Sequence, residues 1–161
     1  MQILAYLGFA LLALVGRFFL REYVAYLDER DAWYSEMLAF LTYAEREVGC
    51  FLRTLGEVCD GVGDGLLRAS GALPDIAAAH DKTVEGFLSR SLIDRADREE
   101  LFTFFRSFGM GYHESEMRAL SSARERFEGA RVRVGAECAK NRRLAPLVYA
   151  FAFLALLLLL L

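Results

Sequence analysis

The sequence predicts an all-α chain, a membrane-anchored helical bundle with long antiparallel amphipathic helices and a transmembrane segment at each end. Three observations predict it. Every Lys, Arg, Asp and Glu falls between Arg17 and Arg143, so a charged middle lies between two uncharged apolar ends. Leu144 to Leu161 is 18 residues long and apolar apart from the Tyr149 hydroxyl, which as a helix spans ~27 Å, close to a ~30 Å hydrocarbon core. Between the ends, apolar residues recur at helical spacings of three and four.

The expected organisation is an N-terminal transmembrane segment over 1–20, a cytoplasmic helical domain over 21–143, and a C-terminal transmembrane segment over 144–161. Met1 to Gly16 has no cation before its apolar run and no small-residue cleavage pattern after it, which favours a retained anchor over a cleaved signal. Cations flank the inner side of both ends: Arg17 and Arg21 after the first, Lys140, Arg142 and Arg143 before the second. The positive-inside rule then places the middle in the cytoplasm and both termini outside.

The first long helix is expected over 18–58. Leu20, Leu27, Tyr34, Leu41, Val48 and Leu55 recur every seven residues, with Tyr23, Arg30, Met37, Ala44, Phe51 and Val58 three later. This is a bundle face or a seam to another protein, including a second copy. Glycines at 61, 63, 65 and 71 predict a loop or hinge near 60–73; the phosphate-binding pattern GxxxxGK[ST] is not there. Pro74 suits the first turn of a helix running to about Ser89. Asp94 to Asp97 offers caps for the next helix, whose core face is Leu101, Phe104, Phe105 and Phe108, with Phe102 on its flank.

Gly109 and Gly111 predict a helix stop and turn at 109–111. From Glu114 a helix is expected to continue into the tail on a stripe of Met117, Leu120, Ala123, Phe127, Ala130, Val134 and Cys138, with Val132 as a possible extension of that face. Arg118, Arg124, Arg126, Arg131 and Arg133 fall outside the stripe and form a candidate basic partner face. Pro146, at the start of the tail, is where the angle between domain and anchor would be set.

The net charge of −3 argues against a nucleic-acid partner. Cys50, Cys59 and Cys138 match no zinc or redox spacing and suit small buried residues in a reducing compartment. His113-Glu114-Ser115-Glu116 lacks the second histidine of HExxH, and no serine lies in GxSxG. No catalytic residue, metal site or cofactor is therefore assigned. Amphipathic helices of this kind make interfaces more readily than pockets.

The order of features resembles the stage III sporulation protein AB family. Asp97-Arg98-Glu99-Glu100-Leu101, then Phe108-Gly109-Met110-Gly111, a charged helix to Arg133, and Lys140-Asn141-Arg142-Arg143 before a final span fall in the family's sequence. The chain departs from it in carrying His113-Glu114 where the family has Ser-Asp, and Pro146 where its final span has glycines. The resemblance implies a helical domain similar to the cytoplasmic domains of type II secretion F-type inner-membrane platform proteins. It also implies a place in the mother-cell membrane, in a sporulation channel complex, with a secretion-type ATPase and other membrane proteins of that complex as partners. A generic membrane-tethered coiled-coil scaffold of the cell envelope is the alternative.

Overall fold

A computed structural model describes the backbone of residues 2–160 and the side chains of residues 8–158. Helices are α1 (Gln2–Phe51), α2 (Leu55–Gly61), α3 (Leu66–Ala69), α4 (Ala72–Ala77), α5 (Arg95–Ser107) and α6 (His113–Leu160), with a 3-10 turn at Ala79–Asp81. There is no strand among the described residues, so the chain is all-α as expected. It divides into two compact units. One comprises Met1–Glu29 with Gly135–Leu161, the other Arg30–Val134.

In the first unit the outer parts of α1 and α6 lie antiparallel. Phe9 packs on Phe153 at 4.5 Å between ring centroids, and the Tyr149 hydroxyl donates to the Ala13 carbonyl at 2.7 Å. Gly16 makes room for the Tyr149 ring, since a Cβ there would stand 2.5 Å from Cε2. Arg142 pairs with Asp28. Leu11, Leu14, Phe18 and Phe19 on one helix, and Leu147, Val148 and Phe151 on the other, are exposed. One helix among the described residues, His113–Leu158, is long and apolar enough to cross a membrane. The side chains of residues 1–7, in the first apolar run, lie outside the described residues. Pro146 sits inside α6, where its missing N–H leaves the Arg142 carbonyl without the usual donor.

The second unit is built on the inner parts of the same two helices, again antiparallel. Tyr34 stacks on Phe127 at 5.3 Å, and Arg124 reaches Glu45 at 2.7 Å. The sevenfold stripe and its partner position three later are legible here: Tyr34, Met37, Leu41, Ala44 and Val48 are buried along α1, and Leu120, Phe127, Ala130 and Val134 along α6. Helices α2 to α5 cover this pair with a core of Val58, Leu67, Ile76, Phe87 and Phe105.

Three expectations are corrected. The first helix ends at Phe51 rather than running to Val58. Leu52 adopts a left-handed backbone (φ 54°), and Thr54 and Glu57 form a capping box that starts α2: the Thr54 hydroxyl accepts the Glu57 N–H, and Glu57 Oε2 accepts the Thr54 N–H at 2.8 Å. Leu55 and Val58 thus belong to α2, and Phe51 is exposed.

The helix at Pro74 stops at Ala77 rather than Ser89. Lys82 folds back onto Asp75 at 2.9 Å, and Leu88 is left-handed (φ 47°). The turns place the neighbours Phe87 and Leu88 both in the core, which a helix would point about 100° apart.

On α5 the buried set is Leu101, Phe102 and Phe105, while Phe104 and Phe108 are half-buried. Phe87, supplied by the preceding turns, packs on Phe102 at 5.4 Å and draws that flank inward.

The segment near 60–73, expected as a loop or hinge, carries the short helix α3 and is packed. Leu67, Ala72 and Leu73 are buried, and Glu36 Oε2 accepts the Leu67 N–H at 3.1 Å. A Cβ on Gly65 would meet that carboxylate oxygen at 2.8 Å, so this glycine serves close approach.

Candidate functional site

A polar network ties the second unit together. The Tyr34 hydroxyl, on α1, donates to Asp97 Oδ2 at 2.7 Å and accepts the Asp94 N–H at 2.9 Å. Arg133, on α6, reaches both Asp97 oxygens at 3.1 and 2.9 Å. Arg30 reaches both Asp94 oxygens at 3.0 and 2.9 Å. Asp94 stands at the N-cap of α5, but its side chain serves Arg30 rather than the helix end. Burial, reinforced by the Asp97 carboxylate, holds the Tyr34 phenol far above its ordinary range, so it stays a donor. The bond to Asp97 also holds Arg133 more firmly protonated. Asp97 is buried because three segments distant in sequence converge on it. Arg30, an apparent break in the apolar stripe, belongs to this network.

The five arginines of the candidate partner face do not form one face. At about 100° per residue, Arg126 and Arg133 point within about 20° of each other, Arg124 and Arg131 share a direction about 160° away, and Arg118 points elsewhere. Arg126 meets Glu100 at 3.0 Å and Arg133 meets Asp97, both on α5. Arg124 meets Glu45, and Arg131 Nε donates to Ser35 Oγ at 3.4 Å, both on α1. Arg118 pairs with Glu114 at 3.6 Å at the exposed start of α6. Val132 is exposed and extends no core face.

Gly109 is left-handed (φ 91°), as a helix stop requires. The Gly111 N–H donates to Glu116 Oε1 at 2.9 Å, which fixes the turn against the first turn of α6. Met110 and Tyr112 in this turn, and Phe51 and Leu52 at the end of α1, are exposed. Gly49 near the end of α1 lies against Met117 near the start of α6, so these segments share one end of the unit.

His80 lies beside Asp81 at 3.3 Å, and His113 stands at the exposed start of α6. No group of three or more metal-capable side chains occurs among the described residues. Burial pushes the Cys59 thiol up to about 11; Cys138 is also buried and Cys50 is exposed. Arg17, Arg21, Lys140, Arg142 and Arg143 are exposed on the outer parts of α1 and α6, as cations flanking an apolar segment would be.

No protein-family model, curated protein or solved structure matches the chain.

The geometry combines exposed helix faces with a well-fastened interior. The Thr54-x-x-Glu57 box was legible in the sequence as a helix start. The burial of Asp97 carried no local signal.

Proposed function

We propose that this chain is a non-enzymatic membrane platform of the stage III sporulation protein AB kind. In this reading two spans hold a cytoplasmic helical domain that docks a secretion-type ATPase alongside other channel-complex membrane proteins, in the mother-cell membrane. The observation that carries it is the antiparallel outer pair. Its apolar side chains face outward on both helices while Tyr149 and Gly16 fasten the interior, as expected where lipid rather than protein covers the surface. The order of motifs from Asp97 to Arg143 supports the family, and the networked helical domain suits a module that must keep its shape under a working partner.

The direct test reconstitutes the full chain in nanodiscs with the secretion-type ATPase of the same host. Binding and a changed ATPase rate are expected; no binding and no change would refute the reading. A reporter fused after Leu161 should be active outside the cytoplasm, and cytoplasmic activity would break the two-span topology. A generic envelope scaffold would instead show a growth or division defect with normal spores when the gene is deleted.

A further inference from the structure

The inner parts of α1 and α6 form a layer with α2 to α5 on one side. On another side lies an open groove of about 580 Å³, lined by Leu38, Ala39, Thr42 and Tyr43, with Arg131 and Arg46 among its walls. Its floor is apolar. The Thr42 hydroxyl is occupied by the Leu38 carbonyl at 2.9 Å, so it makes no demand on a ligand.

A guanidinium stands at each of its two ends. Along α6, Arg118, Arg124, Arg126 and Arg133 each meet a carboxylate. Among the five arginines of the candidate partner face Arg131 is the exception, bonding the Ser35 hydroxyl at 3.4 Å. At the other end Arg46 and Arg53 both meet the buried carboxylate of Glu47, at 3.1 and 3.0 Å, and Arg53 also lies within electrostatic reach of Glu57, so Arg46 has only a share of one carboxylate. Arg46 lies over the Tyr43 ring at 5.3 Å, held at the groove's edge. Ser35, which marks the Arg131 end, and Arg46 are eleven residues apart on α1, or about 16 Å.

We propose that this groove docks an acidic amphipathic helix of a partner protein. An apolar floor between two guanidiniums, one bonded to a hydroxyl and one sharing its carboxylate, is complementary to a helix with carboxylates about three turns apart and apolar side chains between them on the same face. Glu at i and i+11 returns to within about 20° on a helix, and Leu at i+4 and i+7 falls on the same face. The proposal rests on reading the domain as a docking module, and it names the surface and the chemistry of what docks.

The test uses the full chain in nanodiscs and a fluorescein-labelled synthetic helix with Glu at i and i+11 and Leu at i+4 and i+7. A second peptide carries Lys in place of Glu. Fluorescence anisotropy should show the acidic peptide binding and the Lys peptide not. Arg131→Glu should weaken the acidic peptide about tenfold or more, and R131E combined with R46E should reverse the preference. Unchanged Trp33 fluorescence and circular dichroism in the variants confirms that the fold is kept. Equal binding of both peptides, or no effect of R131E, overturns the proposal. A photocrosslinker at Thr42, in the native host, should map to an acidic helix of another protein and be lost in R131E; a crosslink to a second copy also overturns it. Persisting ATPase stimulation by R131E would remove the groove as the docking site while leaving the platform reading standing. No stimulation by the wild-type chain would remove the ATPase and leave the peptide result to decide the groove.

Discussion

Replacing Tyr34 with Phe and Asp97 with Ala, singly and together, should expose how far one buried bond fastens the helical domain. Tyr34 is 0% and Asp97 9% exposed, and their bond is 2.7 Å long. Net hydrogen bonds to charged groups are worth ~1.5–3 kcal/mol, and a buried donor left without an acceptor costs about 1–3. Tyr34→Phe removes the donor to Asp97 and the acceptor of the Asp94 N–H, for a cost of ~2–3 kcal/mol. Asp97→Ala strands the Tyr34 hydroxyl and should cost ~2–4 kcal/mol. Both singles lose the same bond, so the double variant should fall short of additivity by about 1–2 kcal/mol. Arg133→Ala should cost less than Asp97→Ala, because the Arg133 side chain is 64% exposed and Asp97 still accepts the Tyr34 hydroxyl. The assay is denaturant unfolding of the full chain in mild detergent, followed by fluorescence of Trp33, the chain's one tryptophan and a buried residue of this unit. The raised Tyr34 phenol adds a pH signature. The folded chain keeps this proton where the unfolded chain releases it, so the associated stability is intact below pH ~10 and is lost as pH rises further; Tyr34→Phe should flatten that alkaline slope. Single-variant costs below about 0.5 kcal/mol, or strict additivity, would refute a coupled buried bond.

Four further outcomes are expected. Thr54→Ala should destabilise the same transition by about 1 kcal/mol, the ordinary cost of a lost N-cap. The cap also holds the Glu57 carboxyl below its usual range, so the stability it lends should persist above the ordinary carboxylate pKa and fade as pH falls through Glu57's lowered one. Gly65→Ala should lower the unfolding midpoint, because its Cβ would crowd the Glu36 carboxylate that holds Leu67; Gly63→Ala, with open space around it, should not. At pH 8 iodoacetamide should label exposed Cys50 rapidly and Cys59 only after unfolding, as read by peptide mass spectrometry. In the outer pair, Tyr149→Phe should weaken helix association by about 0.6 kcal/mol, and Gly16→Leu should weaken it more by displacing the Tyr149 ring, both measured by steric trapping in bicelles.

What the sequence makes legible follows from periodicity. The sevenfold repeat on α1 with its partner position, and the three-four stripe on α6, name most of the residues buried on those two helices, because a helix face is a local property. The end of α1 was legible too, in Thr54-x-x-Glu57, but heptad continuity through Leu55 and Val58 masks it: the two residues keep the spacing while belonging to another helix. Phe87 and Leu88 are harder. Their joint burial depends on Lys82 closing onto Asp75 and on a left-handed Leu88, neither of which any repeat announces. Asp97 is the limiting case. In sequence it is one acid among several at a helix start, and its partners Tyr34 and Arg133 lie 63 and 36 residues away.

The same reasoning separates the arginines of α6. Their angular positions follow from the sequence alone and already divide Arg126 and Arg133 from Arg124 and Arg131. Which pair is consumed by the fold does not, since that depends on where α5 docks. Once α5 lies on the Arg126–Arg133 side, Glu100 and Asp97 neutralise that face and convert it to structure. The opposite side keeps Arg124 for Glu45 and leaves Arg131 with a hydroxyl. A helix that spends one face on internal ion pairs can hold the other rigidly in place, and rigidity is what lets a single guanidinium discriminate between partners of opposite charge. The buried network and the open groove are therefore coupled in use: loosening Asp97 should blunt the charge preference of the groove even though Asp97 touches nothing in it.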